Sequence, residues 1–351
     1  MSVSVELALP RCADALNPRA LVEIISSWLH IPATELDLTV NADQRRIVIE
    51  AVRTMNELAG GGDSAAFHQQ QLLLSRLYGL VLRLPQAVTA EGSVILHEVV
   101  RLLEEATLAR EDHGVDTVLL DEAPADPKDY LSWLKNLARR HPAYKHPYYA
   151  EFIRDRAGRE DLRTYVIQES VVDGRFDDLL AMMQVGTADD AKLEIARNYW
   201  DEMGNGDADQ VHTHLFNQIF QVFDIGADEL EGALTAEALL SGNLAVMLCR
   251  YRRLYPEAVG FLGMTEWFAP DRFVQVVHAW ERLGLPDVGI VYHRLHITVD
   301  SLHAAGWFHN VIIPAAESPA MRRGIARGAL LRLNSSARYL DERLAEARSR
   351  S

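Results

Sequence analysis

The stretch Tyr292–Asn310 reads YHRLHITVDSLHAAGWFHN and carries His296, Asp300 and His303 at steps of four and three residues. At about 3.6 residues per turn, these steps place the three side chains on one face of a helix. Apolar side chains flank this polar stripe, and a polar stripe on such a helix is often turned inward. Two imidazoles and a carboxylate form a ligand set that suits non-haem iron. The stretch predicts a metal half-site, with a solvated helix face as the alternative.

A second cluster of acidic residues and histidine lies upstream in NYWDEMGNGDADQVHTHLF, residues 198–216. Glu202, Asp209 and His212 would share one face if a helix ran through the whole segment. The glycines of MGNG argue against that continuity, because glycine costs about 1 kcal/mol inside a helix. We expect a local bend there, a feature often found at functional sites. Two half-sites in one chain predict two metal ions.

Further carboxylates are needed to balance the charge of two ions. Glu169 in TYVIQESVVDG and Glu266 in GMTEWFAP stand among apolar residues, where an unpaired charge is costly. Each is a candidate ligand, with an exposed or capping carboxylate as the alternative. Asp173, one turn beyond Glu169, competes with it. Asp201 is expected to face away as a surface charge.

Composition excludes several classes of protein. The formal charge of −15 over 351 residues argues against nucleic-acid or anionic-membrane partners, which need clustered cations. Cys12 and Cys249 are the only cysteines, so a thiolate metal site is not credible and a reducing compartment is favoured. No signal peptide and no window of 18 uncharged apolar residues is found, so we expect a cytoplasmic protein.

Helical periodicity runs through nearly every long segment, and strand-like alternation is almost absent, so we predict an all-α protein. The acidic, proline-bearing DEAPADPKD at 121–129 breaks the pattern and is interpreted as a boundary. It separates an N-terminal helical extension, residues 1–120, from a main bundle, residues 130–351. Within the bundle we predict single helices over 160–184 and 207–223 and a break between helices 256–267 and 270–283.

The order Glu, Glu-x9-His, Glu, His-x3-Asp-x2-His resembles the haem-oxygenase-like diiron oxidase superfamily, described as iron-containing redox enzymes. The similarity covers roughly residues 130–345, and its specific parts are Glu202-x9-His212 and the triplet that begins at His296. The resemblance implies a haem-oxygenase-like helical bundle. It also implies one iron held by Glu169, Glu202 and His212, and a second iron completed by Glu266, His296, Asp300 and His303.

The resemblance implies that O2 is activated by two Fe(II) ions with an external reductant and no organic cofactor. Members of the family act on amino acids or fatty acids, by N-oxygenation, desaturation or oxidative C–C cleavage. Asp209 matches an additional acidic ligand of members that oxygenate nitrogen, where it is typically Glu, and this favours a small amine-bearing substrate. Aliphatic C–H activation of an amino acid is the alternative enzyme. A non-catalytic metal-binding or interaction protein is the alternative of another class, and a homodimer is left open.

The final helix carries Arg322, Arg323, Arg327 and Arg332. Solvation at the surface is expected for most of them. A carboxylate-bearing substrate would favour one bidentate arginine, and this helix often flanks the site in the family that the chain resembles. Arg323 and Arg327 are therefore candidate substrate-binding residues.

Overall fold

The computed structural model describes residues 17–84 and 88–350, and helices are the only regular secondary structure within these ranges. This confirms the all-α prediction. Contacts divide the chain into two compact units, residues 1–113 and 114–351. The boundary expected at 121–129 stays a prediction, and Cys12 lies outside the described residues. None of the described helices is both long and apolar enough to cross a membrane.

The first unit is built from amphipathic helices with conventional caps. Asn17 accepts a hydrogen bond from the amide of Ala20, and Asn41 forms a reciprocal capping box with Gln44. The aromatic side chains buried in this unit are Trp28, Phe67 and Tyr78. Most of the other buried side chains are aliphatic, but Gln70, Gln71, Ser93, Glu104, Thr107 and Glu111 are buried as well. The helices of this unit are α1 (Pro18–Trp28), α2 (Ala33–Thr39), α3 (Ala42–Gly60), α4 (Ser64–Leu82) and α5 (Val94–Asp112).

The second unit holds all the candidate site residues. Its helices are α6 (Thr117–Asp121), α7 (Pro127–Arg140), α8 (Arg159–Glu169), α9 (Phe176–Gln184), α10 (Asp189–Glu202), α11 (His212–Phe223), α12 (Ala227–Gly232), α13 (Ala236–Arg250), α14 (Tyr255–Arg282), α15 (Val291–Gly306), α16 (Ile313–Ala315) and α17 (Pro319–Arg350). Two π-helical segments, Tyr148–Ile153 and Trp307–Ile312, are added to these. Such segments are uncommon and occur often at functional sites.

The core of the second unit is formed around α14, which packs against α15 on one side and α17 on another. Gly260 and Gly328 allow the backbones of α14 and α17 to touch. A Cβ atom on Gly260 would collide with the carbonyl oxygen of Ile325, and one on Gly328 with the carbonyl oxygen of Glu257. This close approach fixes the position of α14, which carries Glu266.

The prediction of one helix over 160–184 is wrong. Helix α8 ends at Glu169, and α9 begins only at Phe176, after a 3₁₀ turn over Asp173–Arg175. The intervening residues include two β-branched valines, an aspartate and a glycine, which are poor helix formers. Val171 also packs directly against Gly242 of α13. A Cβ atom on Gly242 would lie only 2.8 Å from the Cβ atom and the carbonyl oxygen of Val171. Packing on α13 therefore stabilises the turn that presents Asp173.

The predicted break before Pro270 is also wrong, because α14 continues through it. Proline removes one helical hydrogen bond, here the bond to the carbonyl of Glu266, but burial against α15 and α17 outweighs that loss. The predicted helix 207–223 begins later, at His212. Short 3₁₀ turns occupy the preceding segment because Gly204, Asn205 and Gly206 adopt positive φ angles.

Candidate metal centre

The first group of candidate ligands joins Glu202, His212 and His296 from three helices. The Nδ1 atom of His212 lies 2.8 Å from Oε2 of Glu202, and Nε2 of His296 lies 3.7 Å from Oε1 of the same carboxylate. All three side chains are buried. One carboxylate thus faces two imidazole nitrogens, which is the donor chemistry of a non-haem iron site.

The MGNG loop brings the first two members of this group together. Glu202 is the last residue of α10, and His212 is the first residue of α11. Gly204 has φ +61°, and a Cβ on it would lie 2.6 Å from the carbonyl carbon of Gln210. Only glycine allows the chain to fold back so tightly there. The sequence therefore positions both ligands by a turn rather than by helical periodicity.

The tautomer of His296 is determined by its own helix. Its Nδ1 lies 2.8 Å from the carbonyl oxygen of Tyr292. A carbonyl only accepts hydrogen bonds, so Nδ1 carries the proton and Nε2 presents its lone pair toward Glu202. This is the arrangement of a metal-binding histidine whose other nitrogen donates to the backbone.

The second group joins Glu266 of α14 with Asp300 and His303 of α15. The Nδ1 atom of His303 lies 3.6 Å from Oε2 of Glu266 and 4.0 Å from Oδ1 of Asp300. All three side chains are buried. The ligand atoms of each group lie within 4.8 Å of one another, close enough to converge on one ion.

The triplet on α15 is divided between the two groups. The family resemblance implied that His296 binds the second iron, whereas the structure groups it with Glu202 and His212. A helix rises about 1.5 Å per residue, so His296 and His303 are about 10.5 Å apart along the axis. Metal–nitrogen bonds are near 2 Å, so residues at that separation suit two adjacent ions better than one.

Asp201 holds His303 from the other side, contrary to the expectation that it would face away. Its Oδ2 accepts a hydrogen bond from Nε2 of His303 at 3.1 Å, and the side chain is 31% exposed. Because Nε2 carries the shared proton, Nδ1 is left to face Glu266 and Asp300. A carboxylate that orients a ligand histidine in this way raises its basicity and fixes its ring.

Several buried polar atoms of the two groups, and one of Asp173 beside them, lack hydrogen-bond partners. His212 Nδ1, His303 Nδ1, Glu266 Oε1 and Asp173 Oδ2 are all inaccessible and unpaired by hydrogen bonds. His212 lies close to Glu202 but is not aligned for a hydrogen bond. Unsatisfied buried polar groups cost about 1–3 kcal/mol each. A cation bound between these atoms removes that cost, so the residues present fit a metal ion.

The carboxylates of the site are buried close together, and two of them have raised pKa values. Burial, followed by the charges of Glu266 and Glu202, raises the pKa of Asp300 well above its usual value. Burial and the charge of Glu169 do the same to the pKa of Asp173. Buried acids that resist ionisation beside other acids are typical of sites that need a positive ion to become charged.

Where a histidine faces a carboxylate, each stabilises the charged form of the other. Burial raises the pKa of Glu202, but the neighbouring imidazoles of His212 and His296 outweigh this and lower it to about 2. Burial lowers the pKa of His303, but Glu266 and the hydrogen bond to Asp201 outweigh this and raise it to about 9. A metal ion at the second group therefore competes with a proton on His303.

Asp173 links the two groups. It lines a cavity of about 20 Å³, roughly the space of one water molecule, with members of both groups. Aromatic side chains form the remaining wall and limit the access of water. The cavity is lined by Asp173, Phe176, Glu202, Thr265, Glu266, Ala269, Phe273, Tyr292, His296 and Asp300.

Glu169 is not brought together with Glu202 and His212. Its Oε1 accepts a hydrogen bond from the hydroxyl of Tyr149 at 3.3 Å, and it lines a separate small cavity with Arg272. Asp173, the competitor recognised in the sequence, is the carboxylate that lies beside both groups. The interruption between α8 and α9 turns these two acids toward different cavities.

Asp209 and the two candidate arginines lie away from the groups. Asp209 is exposed, and its amide donates to Asp207. Arg323 is exposed and pairs with Asp121, while Nη1 of Arg327 lies 2.7 Å from Oε1 of Glu257. The structure thus offers no contact between these three residues and the candidate ligands.

An open cleft of about 330 Å³ reaches one histidine of each group. His212 and His303 lie in its lining, and Leu295, Val299 and Leu302 form an apolar wall. The cleft connects the buried donors to the outside of the second unit.

Residues 163–337 match the model of the iron-containing redox enzyme family. The chain belongs to this family. The match covers about half of the chain and includes both ligand groups, Asp173 and Asp201. A search of curated proteins finds no significant match. Membership agrees with the family resemblance of the motifs and with the all-α bundle.

The contact between Asp201 and His303 leads to a prediction on metal affinity. We expect Asp201→Asn to weaken Fe(II) binding at the second group about 10- to 100-fold and to leave the first group unchanged, because the ring of His303 loses a charged acceptor. Anaerobic Fe(II) titration against a competing chelator measures this. Asp190→Asn, an exposed change on the same helix α10, is the matched control. Equal affinities in the two variants would refute the positioning role.

Proposed function

We propose that this protein is a non-haem diiron oxidase or oxygenase that uses O2 to oxidise a small amine-bearing compound, an amino acid in particular. The observation that carries the proposal is the pair of buried donor groups on one shared cavity, in a chain of the iron-containing redox enzyme family. Glu202, His212 and His296 would hold one iron. Glu266, Asp300 and His303 would hold the other, with Asp173 beside both.

When bound, two iron ions would supply the chemistry of O2 reduction, and an external reductant would be needed for further turnover. The chain contributes geometry and exclusion of water. Asp201 orients His303, and the backbone of Tyr292 orients His296. Phe176 and Phe273 form part of the apolar wall of the shared cavity. The apolar cleft beside His212 and His303 offers O2 a route to the donors.

Two types of oxidation fit this proposal, N-oxygenation and aliphatic C–H oxidation. The sequence favoured N-oxygenation because of Asp209, but that residue is exposed and makes no contact with the groups. Its position therefore adds nothing to N-oxygenation over aliphatic C–H oxidation. Product mass separates the two, since N-oxygenation adds oxygen and desaturation or ring closure removes hydrogen.

The test is anaerobic loading with Fe(II), followed by exposure to O2 with a reductant and a panel of amino acids and amines. We expect two irons per chain, O2 consumption that one class of compound accelerates, and a product of altered mass. Binding of fewer than two irons contradicts the diiron assignment. Two irons without O2 consumption would favour the non-catalytic metal-binding alternative.

A further inference from the structure

A larger cavity of about 360 Å³ is lined in part by residues that adjoin members of the second ligand group in the sequence. Its wall includes Trp267 and Phe268, which directly follow Glu266 on α14. Ser301 and Ala304, which directly follow Asp300 and His303 on α15, form another part of the wall. A molecule in this cavity is therefore held by the same two helices that carry the second group. The volume is within the usual range for small-molecule sites.

Aromatic rings give this cavity an apolar lining. The ring centroids of Tyr144 and Phe268 are 5.6 Å apart, and those of Trp267 and Phe268 are also 5.6 Å apart. The centroids of Tyr144 and Trp267 are separated by 6.3 Å. Aromatic side chains arranged at such distances pack well against an aliphatic or aromatic group.

Arg272 is the polar feature that distinguishes the cavity. Its Nη2 donates to Oγ of Ser336 at 2.9 Å. The guanidinium carbon lies 5.2 Å from the ring centroid of Tyr149 and 5.5 Å from that of Phe268, and the side chain is half-buried. The group is thus held in a defined orientation. In the described part of the chain, no carboxylate lies within ion-pair distance of it.

A guanidinium has five N–H donors, and the bond to Ser336 uses one of them. Lys145 adds a second positive charge at the exposed edge of the cavity, and Asp271, also exposed, is the one acid in its lining. The charge of Arg272 also acts on Asp173, and Glu169 lines a second small cavity with Arg272, but neither carboxylate forms an ion pair with it. An oriented, half-buried guanidinium that makes no ion pair is suited to bidentate binding of a carboxylate.

We propose that this cavity binds the carboxylate of an α-amino acid with an apolar or aromatic side chain, and that Arg272 is the residue that recognises it. As the substrate class of the same reaction, this rests on the proposed function. The carboxylate pairs with the guanidinium, and the side chain packs against Tyr144, Trp267 and Phe268. The sequence directed attention to arginines of the final helix, whereas the cavity takes its arginine from α14.

Binding is tested by calorimetry on the full chain, both metal-free and loaded anaerobically with Fe(II). The probes are L-phenylalanine and L-leucine, each paired with the amine that lacks the carboxylate, phenethylamine and isopentylamine. We expect at least one amino acid to bind at least 10-fold more tightly than its matched amine. Equal affinities within both pairs, or no binding of any probe, would overturn the proposal.

Arg272→Gln is expected to weaken amino-acid binding at least 10-fold, with little effect on the amines. Arg272→Lys should restore part of the affinity, because the charge returns without the planar donor pair. Arg348→Gln, at the exposed end of α17, is the control and should leave the affinity unchanged. Full affinity in Arg272→Gln would contradict the assignment.

Iron titration of the same variants separates the two proposals. Arg272→Gln should bind as much iron as the unmodified chain, which also shows that it is folded. Amino-acid binding that depends on Arg272 in a chain that fails to take up iron or consume O2 would refute the oxidase and retain the carboxylate site. Iron uptake and O2 consumption with no amino-acid binding would refute the carboxylate site and retain the oxidase.

Discussion

Replacing His296 with alanine is expected to remove one iron per chain and to reduce O2 consumption more than about 100-fold. His296 supplies Nε2 to the first group, beside Glu202, and its ring orientation is already fixed by Tyr292. Loss of an outer residue that orients a ligand costs about 10- to 100-fold, so loss of the ligand itself should cost more. Iron analysis after anaerobic loading and an O2 electrode measure the two effects.

His293→Gln is the matched control. His293 lies on the same helix α15, one turn earlier, and is equally buried, but it belongs to neither ligand group. Burial lowers its pKa to about 3, so it is neutral at physiological pH. We expect its substitution to leave two irons bound. Two irons and full activity in His296→Ala would rule out the first group as a metal site.

Gly328→Val is expected to lower the free energy of unfolding of the second unit by more than about 3 kcal/mol. Overpacking of a core usually costs about 1–3 kcal/mol, but here the added atoms meet backbone, which cannot rotate away. A Cβ on Gly328 would collide with the carbonyl of Glu257, so α14 and α17 must separate. Urea unfolding followed by circular dichroism measures the change. Iron loading should fall with it, because α14 carries Glu266.

The control for this prediction is Gly232→Ala, at the end of α12. A Cβ on Gly232 meets nothing within 4 Å, and its φ angle is not positive. Alanine there should leave the stability unchanged or raise it by about 0.4–1 kcal/mol. If Gly328→Val unfolds at the same urea concentration as Gly232→Ala, the close contact between α14 and α17 does not exist in solution.

Local rules were sufficient for much of the fold and for part of the site. Helical periodicity predicted an all-α chain, and steps of four and three residues placed His296, Asp300 and His303 on one face of α15. The glycines of MGNG correctly indicated that Glu202 and His212 are joined by a bend. In each case the determining interactions lie within one helix or one turn, so neighbouring residues in the sequence are enough.

Predictions failed where tertiary packing outweighed local preference. Pro270 did not end α14, because burial against α15 and α17 outweighs one lost hydrogen bond. The helix expected over 160–184 is interrupted at poor helix formers, and the packing of Val171 on Gly242 of α13 stabilises the interruption. Because of that interruption, Asp173 rather than Glu169 lines the cavity that the two ligand groups share. No periodic pattern contains this information, since it depends on a helix about 70 residues away in the sequence.

The sequence by itself predicted metal-binding chemistry, because two imidazoles and a carboxylate on one helical face form a ligand set that suits non-haem iron. Only the tertiary structure decided how those residues are shared. Two turns of α15 separate His296 from His303, so His296 joins Glu202 and His212 while His303 joins Glu266 of α14. Asp201 and Arg272 were likewise identified by their partners across the bundle, His303 and Ser336. Such contacts join residues distant in sequence, and packing alone brings them together.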